Sequence, residues 1–99
     1  MTDDSGVLVH ARANLWSGAE AVGGHLILTR DRLSFRAHAL NIQTEPLDLP
    51  VDQIVSMHKY NQLRIIPNGL AVTMASGTVH RFVATKRDRF IAVFAAYRQ

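Results

Sequence analysis

The hydrophobic period of this chain changes once, and late. Up to Val83 its apolar residues alternate with polar ones or gather in short runs bounded by turn residues, whereas Phe90, Val93, Phe94 and Tyr97 recur at helical spacing. A parallel sheet needs a crossover, usually a helix, between successive strands. One helix at the end of the chain cannot supply those crossovers. The pattern therefore predicts a mainly β fold with one C-terminal α-helix, in which an antiparallel sheet is strongly bent or nearly closed and the helix covers one opening.

Seven extended segments can be read in order. In the first, Val7, Val9, Ala11, Ala13 and Leu15 fall on one side, with His10, Arg12 and Asn14 on the other. Ser17-Gly18 through Gly23-Gly24 reads as a loop. Leu26 and Leu28, then Leu33, Phe35 and Ala37, predict the buried face of a hairpin, while Thr29, Ser34, Arg36 and His38 look outward. Arg30-Asp31-Arg32 is its turn, and Asp31 is expected to hydrogen-bond the turn backbone. Pro46 to Pro50 is a short edge-like strand, and Asp52 to Lys59 is the next, with Leu63 to Ile66 extending it. Pro67-Asn68-Gly69 and Ser76-Gly77 are turn signals around a last hairpin of Leu70 to Met74 and Thr78 to Val83. Thr85 and Asp88 resemble a capping box, so the helix is expected from about Lys86.

A length of 99 residues suits one domain, read as a flexible tail over 1–6 and a single domain over 7–99. The absence of cysteine excludes disulfides, thiolate metal sites and a cysteine nucleophile. No apolar run approaches the roughly 18 to 20 residues that span a bilayer. Met1 to Gly6 is polar and acidic, without a basic leader or an apolar core, which predicts a cytoplasmic protein with at most peripheral contact at the inner face of the membrane. A net charge of +3 permits anionic partners without requiring them.

The run Gly24-His25-Leu26-Ile27-Leu28-Thr29-Arg30-Asp31-Arg32-Leu33-Ser34-Phe35, followed by Leu49-Pro50-Val51-Asp52-Gln53-Ile54-Val55-Ser56 and Val79-His80-Arg81-Phe82, resembles the GRAM domain of the pleckstrin-homology-like superfamily. In that family a leucine-threonine strand end runs through a polar turn into a leucine-x-phenylalanine strand, and a proline and an aspartate-x-isoleucine step follow. The likeness spans about Val7 to Tyr97. It implies a bent seven-stranded antiparallel barrel capped by the helix, no catalysis, and a role in binding lipids or proteins. Relatives that bind head groups use basic residues in the loop between the first two strands. The equivalent loop here, Trp16 to Gly24, holds no lysine or arginine and includes Glu20, whose charge repels phosphate.

The resemblance implies two other loops at the same rim, 39–45 and 75–78, and these also lack lysine and arginine. Trp16, Leu40 and Ile42 are instead candidates for an apolar contact. Arg30 and Arg32 in the hairpin turn, with Lys86, Arg87 and Arg89 at the helix start, are candidates for contact with an anionic surface if the helix packs near that turn. The competing reading is a solvated face in which Asp31 and Asp88 pair with these cations.

His10, His25, His38, His58 and His80 are scattered one per strand without short ligand spacings, so no metal site is predicted, although His25 and His38 could meet on adjacent strands. Ser34, Ser56 and Ser76 lack a nucleophile-elbow context, and no carboxylate pair stands out, so no catalytic residue and no cofactor is assigned. A small β domain for single-stranded nucleic acid is the alternative. It ranks lower because Phe35, Phe82, Phe90 and Phe94 fall at core positions, leaving Trp16, Tyr60 and Tyr97 to stack bases. The sequence thus predicts a non-catalytic binding module with a protein partner or an anionic membrane surface, and self-association through exposed strand edges.

Overall fold

Backbone groups of a strand are satisfied by neighbouring strands, and strands that follow one another in the chain pair most readily. The computed structural model describes residues 6–17, 20–38, 47–62 and 66–97. Its strands are β1 (Val7–Ser17), β2 (Glu20–Thr29), β3 (Arg32–Ala37), β4 (Leu47–Pro50), β5 (Ile54–Gln62), β6 (Ile66–Met74) and β7 (Val79–Ala84), followed by helix α1 (Arg87–Tyr97). They form one antiparallel sheet in the order β4-β3-β2-β1-β7-β6-β5. The first and last strands meet because β1 pairs with β2 along its length and also sets Ala13 to Leu15 against Ala84 to Phe82.

A sheet with one apolar face must bend to enclose it. Every strand contributes to a common core, from Val9 and Ala13 on β1 and Leu26 on β2 to Phe35, Leu49, Met57, Val72 and Phe82, and α1 closes it with Phe90 and Phe94. Phe35, Phe82 and Phe90 are almost wholly shielded, each contributing about 1.5 to 3 kcal/mol by burial. The expected architecture is the observed one.

Several local expectations are corrected. β2 starts at Glu20, so Gly23 and Gly24 lie in the ladder opposite Asn14 and Ala13. Gly24 permits a close approach there: a Cβ would strike the Arg36 carbonyl oxygen and come within 2.8 Å of the Phe35 ring. In the β2–β3 turn it is Thr29, not Asp31, that binds the backbone, its Oγ1 accepting from the N–H groups of Asp31 at 3.2 Å and Arg32 at 3.1 Å. Val51–Gln53 forms a 3-10 turn, and β5 begins only at Ile54.

Pro67-Asn68-Gly69 is no turn either. It lies inside β6, where pairing steps from Tyr60 with Gly69 to Gln62 with Ile66 and leaves one extra residue on β6. Asn68 takes φ 65°, and a Cβ on Gly69 would strike the Tyr60 carbonyl. Ile66 belongs to β6 and not to the preceding strand, while 63–65 lie outside the described residues. Asp88 does not cap the helix as expected, since its Oδ1 accepts from Arg87 Nε at 3.2 Å and faces Lys59 Nζ at 3.6 Å. Tyr97, assigned to the buried stripe, is half exposed.

Candidate functional site

The β2–β3 turn, the β4–β5 connection and the last turn of α1 converge at one end of the bent sheet. Tight turn chemistry builds this corner. Thr29 pins the hairpin turn, and the Val51 N–H donates to the Asp31 carbonyl at 2.9 Å, which fastens the 3-10 turn against it. Between these pieces lies a groove of about 600 Å³ lined by Arg30, Asp31, Pro50, Val51, Asp52, Ile54 and Tyr97. Ile54 is buried beneath it, and the Arg30 guanidinium carbon sits 5.7 Å from the Tyr97 ring centroid.

Chemically, the groove mixes aliphatic and aromatic surface from Val51, Ile54 and Tyr97 with polar surface from Arg30, Asp31 and Asp52. Such a surface can take an apolar side chain and orient charged neighbours by sign. Val51, Asp52 and Ile54 entered the sequence reading only through the motif run and the strand assignment, and Tyr97 only as a core position or a ring left for base stacking, none of them as a groove residue. Tyr97 follows Phe90 and Phe94 at helical spacing, so periodicity alone places it in the core, yet it is half exposed while they are buried.

The five candidate cations divide between the two ends of α1. Arg30 stands by Tyr97 at the C-terminal end, with the exposed Arg32 in the same turn. Arg87, at the N-terminal end, donates to the Gly69 carbonyl at 3.4 Å and to Asp88, and Lys86 and Arg89 flank it on the surface. Ten residues of helix put roughly 15 Å between those ends. Trp16 lies within β1 and is partly buried, with its indole nitrogen shielded from solvent, as is the hydroxyl of Tyr60. Leu40 and Ile42 lie outside the described residues.

Of the outward polar positions, Ser34 is buried because its hydroxyl donates to Asp48 Oδ1 at 2.6 Å, beneath the Arg36–Asp48 ion pair at 3.2 Å. The Ser34 hydroxyl chiefly holds the Asp48 carboxyl below its ordinary value, against desolvation, the next cause in size, with Arg36 and Arg32 also lowering it. The pair is structural: it staples β4 to β3 and has no imidazole beside it among the described contacts.

No family model matches the sequence, and no curated protein does. Solved structures do resemble the fold. The C-terminal domain of an unknown protein from Leishmania infantum superposes with a TM-score of 0.78 at 15% identity, over 92% of this chain and 82% of that one. The N-terminal PH domain of human ARAP2 gives 0.71 at 10% identity, over 90% of this chain and 76% of that one. The linker-DH/PH region of p115-RhoGEF gives 0.70 at 12%, over 93% of this chain but 28% of the larger one. At these identities the likeness establishes a pleckstrin-homology-like fold.

Proposed function

We propose that this pleckstrin-homology-like fold is a non-catalytic recognition module, of the GRAM type that its motif run resembles, whose ligand is a protein segment held in the Arg30–Tyr97 groove. The observation that carries the reading is the groove itself, where Val51, Ile54 and the Tyr97 ring are set among the polar side chains of Arg30, Asp31 and Asp52. An apolar anchor residue with an acidic neighbour toward Arg30 matches that surface.

An anionic membrane is the weaker reading, because a membrane-binding face needs cations gathered on one side. Here they are divided along α1, and Arg36, Lys59 and Arg87 are paired with carboxylates. Phe35, Phe82, Phe90 and Phe94 are buried, which takes them away from nucleic-acid stacking. Self-association through the β4 or β5 edge is the remaining partner class.

The test is a panel of short peptides that vary an apolar anchor and its flanking charge, read by fluorescence anisotropy beside sedimentation with neutral and anionic vesicles and light scattering. The proposal expects selective peptide binding that Arg30→Glu and Tyr97→Ala each weaken at least tenfold. Vesicle binding that tracks anionic lipid, or a stable dimer without peptide binding, contradicts it.

A further inference from the structure

Three histidines far apart in sequence meet on the outer face of β1, β2 and β3. His10 Nε2 lies 3.0 Å from His25 Nδ1, with ring centroids 4.9 Å apart. The ring of His38 packs edge-on against His25, its centroid 4.8 Å away. Register explains the meeting. Arg12 and Arg36 stand directly opposite His25 on the two flanking strands, so His10 and His38 are its diagonal neighbours.

We infer that the His10–His25 pair is a surface binding site for one late first-row transition-metal dication, of the nickel or copper kind, held by His10 Nε2 and His25 Nδ1 and otherwise by water. Two imidazole nitrogens each roughly 2.0 to 2.1 Å from a common ion and 3.0 Å apart subtend an angle near 90°. Such cis ligands suit tetragonal or octahedral nickel and copper better than tetrahedral zinc, which needs the nitrogens farther apart. Among the described residues no group of three or more His, Asp or Glu is placed to hold an ion, so the protein supplies two donors and no more.

The surroundings fit neutral imidazoles. His25 titrates below its ordinary value, through desolvation first and then through the charges of His10, His38 and Arg12. The 3.0 Å contact is a hydrogen bond in the free protein, so entry of the ion requires the donor imidazole to carry its proton on its other ring nitrogen instead. Arg36 is neutralised by Asp48 at 3.2 Å, which leaves Arg12 as the described cation facing His25 that opposes a dication. His38 packs edge-on against the His25 ring but is no third donor in any group placed to hold an ion among the described residues.

Isothermal titration of the untagged chain with nickel chloride at about pH 7.5 tests this. The expectation is one equivalent bound, weakened at least tenfold in His10→Ala and in His25→Ala, and unchanged in His58→Ala, which removes an exposed imidazole elsewhere. Arg12→Ala is expected to tighten binding roughly two- to tenfold by removing the opposing charge. Binding should fade as protons compete below about pH 6.5. Equal losses in His10→Ala, His25→Ala and His58→Ala, or weaker binding in Arg12→Ala, overturn the assignment. Thermal melts of each variant without metal check that the fold is intact.

Discussion

The guanidinium of Arg30 lies over the ring of Tyr97, 5.7 Å from its centroid, and this contact joins the last turn of α1 to the β2–β3 turn. The two residues are separated by most of the chain, yet both line the groove. An exposed cation–π contact is worth about 0.5 to 1 kcal/mol. Arg30→Ala is therefore expected to lower stability by no more than that, with Arg30→Lys retaining part of it, as read from urea midpoints at constant slope. A loss of several kcal/mol shows a larger structural role than this contact provides.

Phe90 is the plug of the core. It is fully buried, and α1 packs against β1, β5 and β6. Phe90→Ala is expected to cost about 3 to 5 kcal/mol. Tyr97→Ala, on the same helix stripe but half exposed, should cost far less. Denaturant unfolding of the two variants side by side measures the difference. Equal costs mean that the helix does not sit as described.

The bulge in β6 makes a sharper claim. Asn68 holds φ 65°, a conformation that glycine adopts freely and β-branched residues resist. Asn68→Gly is expected to be neutral or mildly stabilising, and Asn68→Val to cost roughly 1 to 2 kcal/mol. Gly69→Ala next to it should also destabilise, because its Cβ would meet the Tyr60 carbonyl. A neutral Asn68→Val in thermal melts places these residues in a different backbone conformation.

Acidity should act through two kinds of group. His25 and His80 both titrate below the ordinary 6.5, desolvation being the leading cause at each. The unfolded chain then takes up protons first, so stability is lost as pH falls below about 6.5. His80→Gln should flatten part of that decline. Asp48 lies below its ordinary 3.8, so its contribution is present above that value and is lost as pH falls through the folded one. Asp48→Asn should remove this second, more acidic limb. Melting temperatures taken from about pH 7.5 to pH 3 separate the two, and a flat profile contradicts both.

What the sequence made legible follows from how far each signal reaches. Alternation at Val9, Ala11 and Ala13, and at Leu26, Leu28, Leu33 and Phe35, is a local property of a half-buried strand, and all of these residues are buried. The helix was legible through Phe90 and Phe94 for the same reason. The misread parts depend on partners elsewhere in the chain. Pro67-Asn68-Gly69 has turn chemistry, yet it is drawn into β6 by pairing with β5, and its positive φ makes a bulge where a local reading sees a reversal. Thr29 outcompeted Asp31 because its hydroxyl lies on the strand side of the turn, within reach of both the Asp31 and Arg32 N–H groups. Arg30 was a candidate on charge alone, but Val51, Ile54 and Tyr97 become its neighbours only through a three-way contact that no sequence spacing encodes. The approach of His25 to His38 was legible from strand adjacency. Adding His10 required the β1–β2 register, which runs unbroken from Ser17 opposite Glu20 to Val9 opposite Leu28.

Residue-resolved NMR titration with the best peptide from the panel tests the central claim most directly. The account predicts that amide shifts concentrate at Arg30, Asp31, Val51, Asp52, Ile54 and Tyr97, with Tyr97 ring protons giving contacts to the peptide's apolar anchor. Shifts centred on Trp16 and the β1–β2 end, with the groove silent, would contradict it.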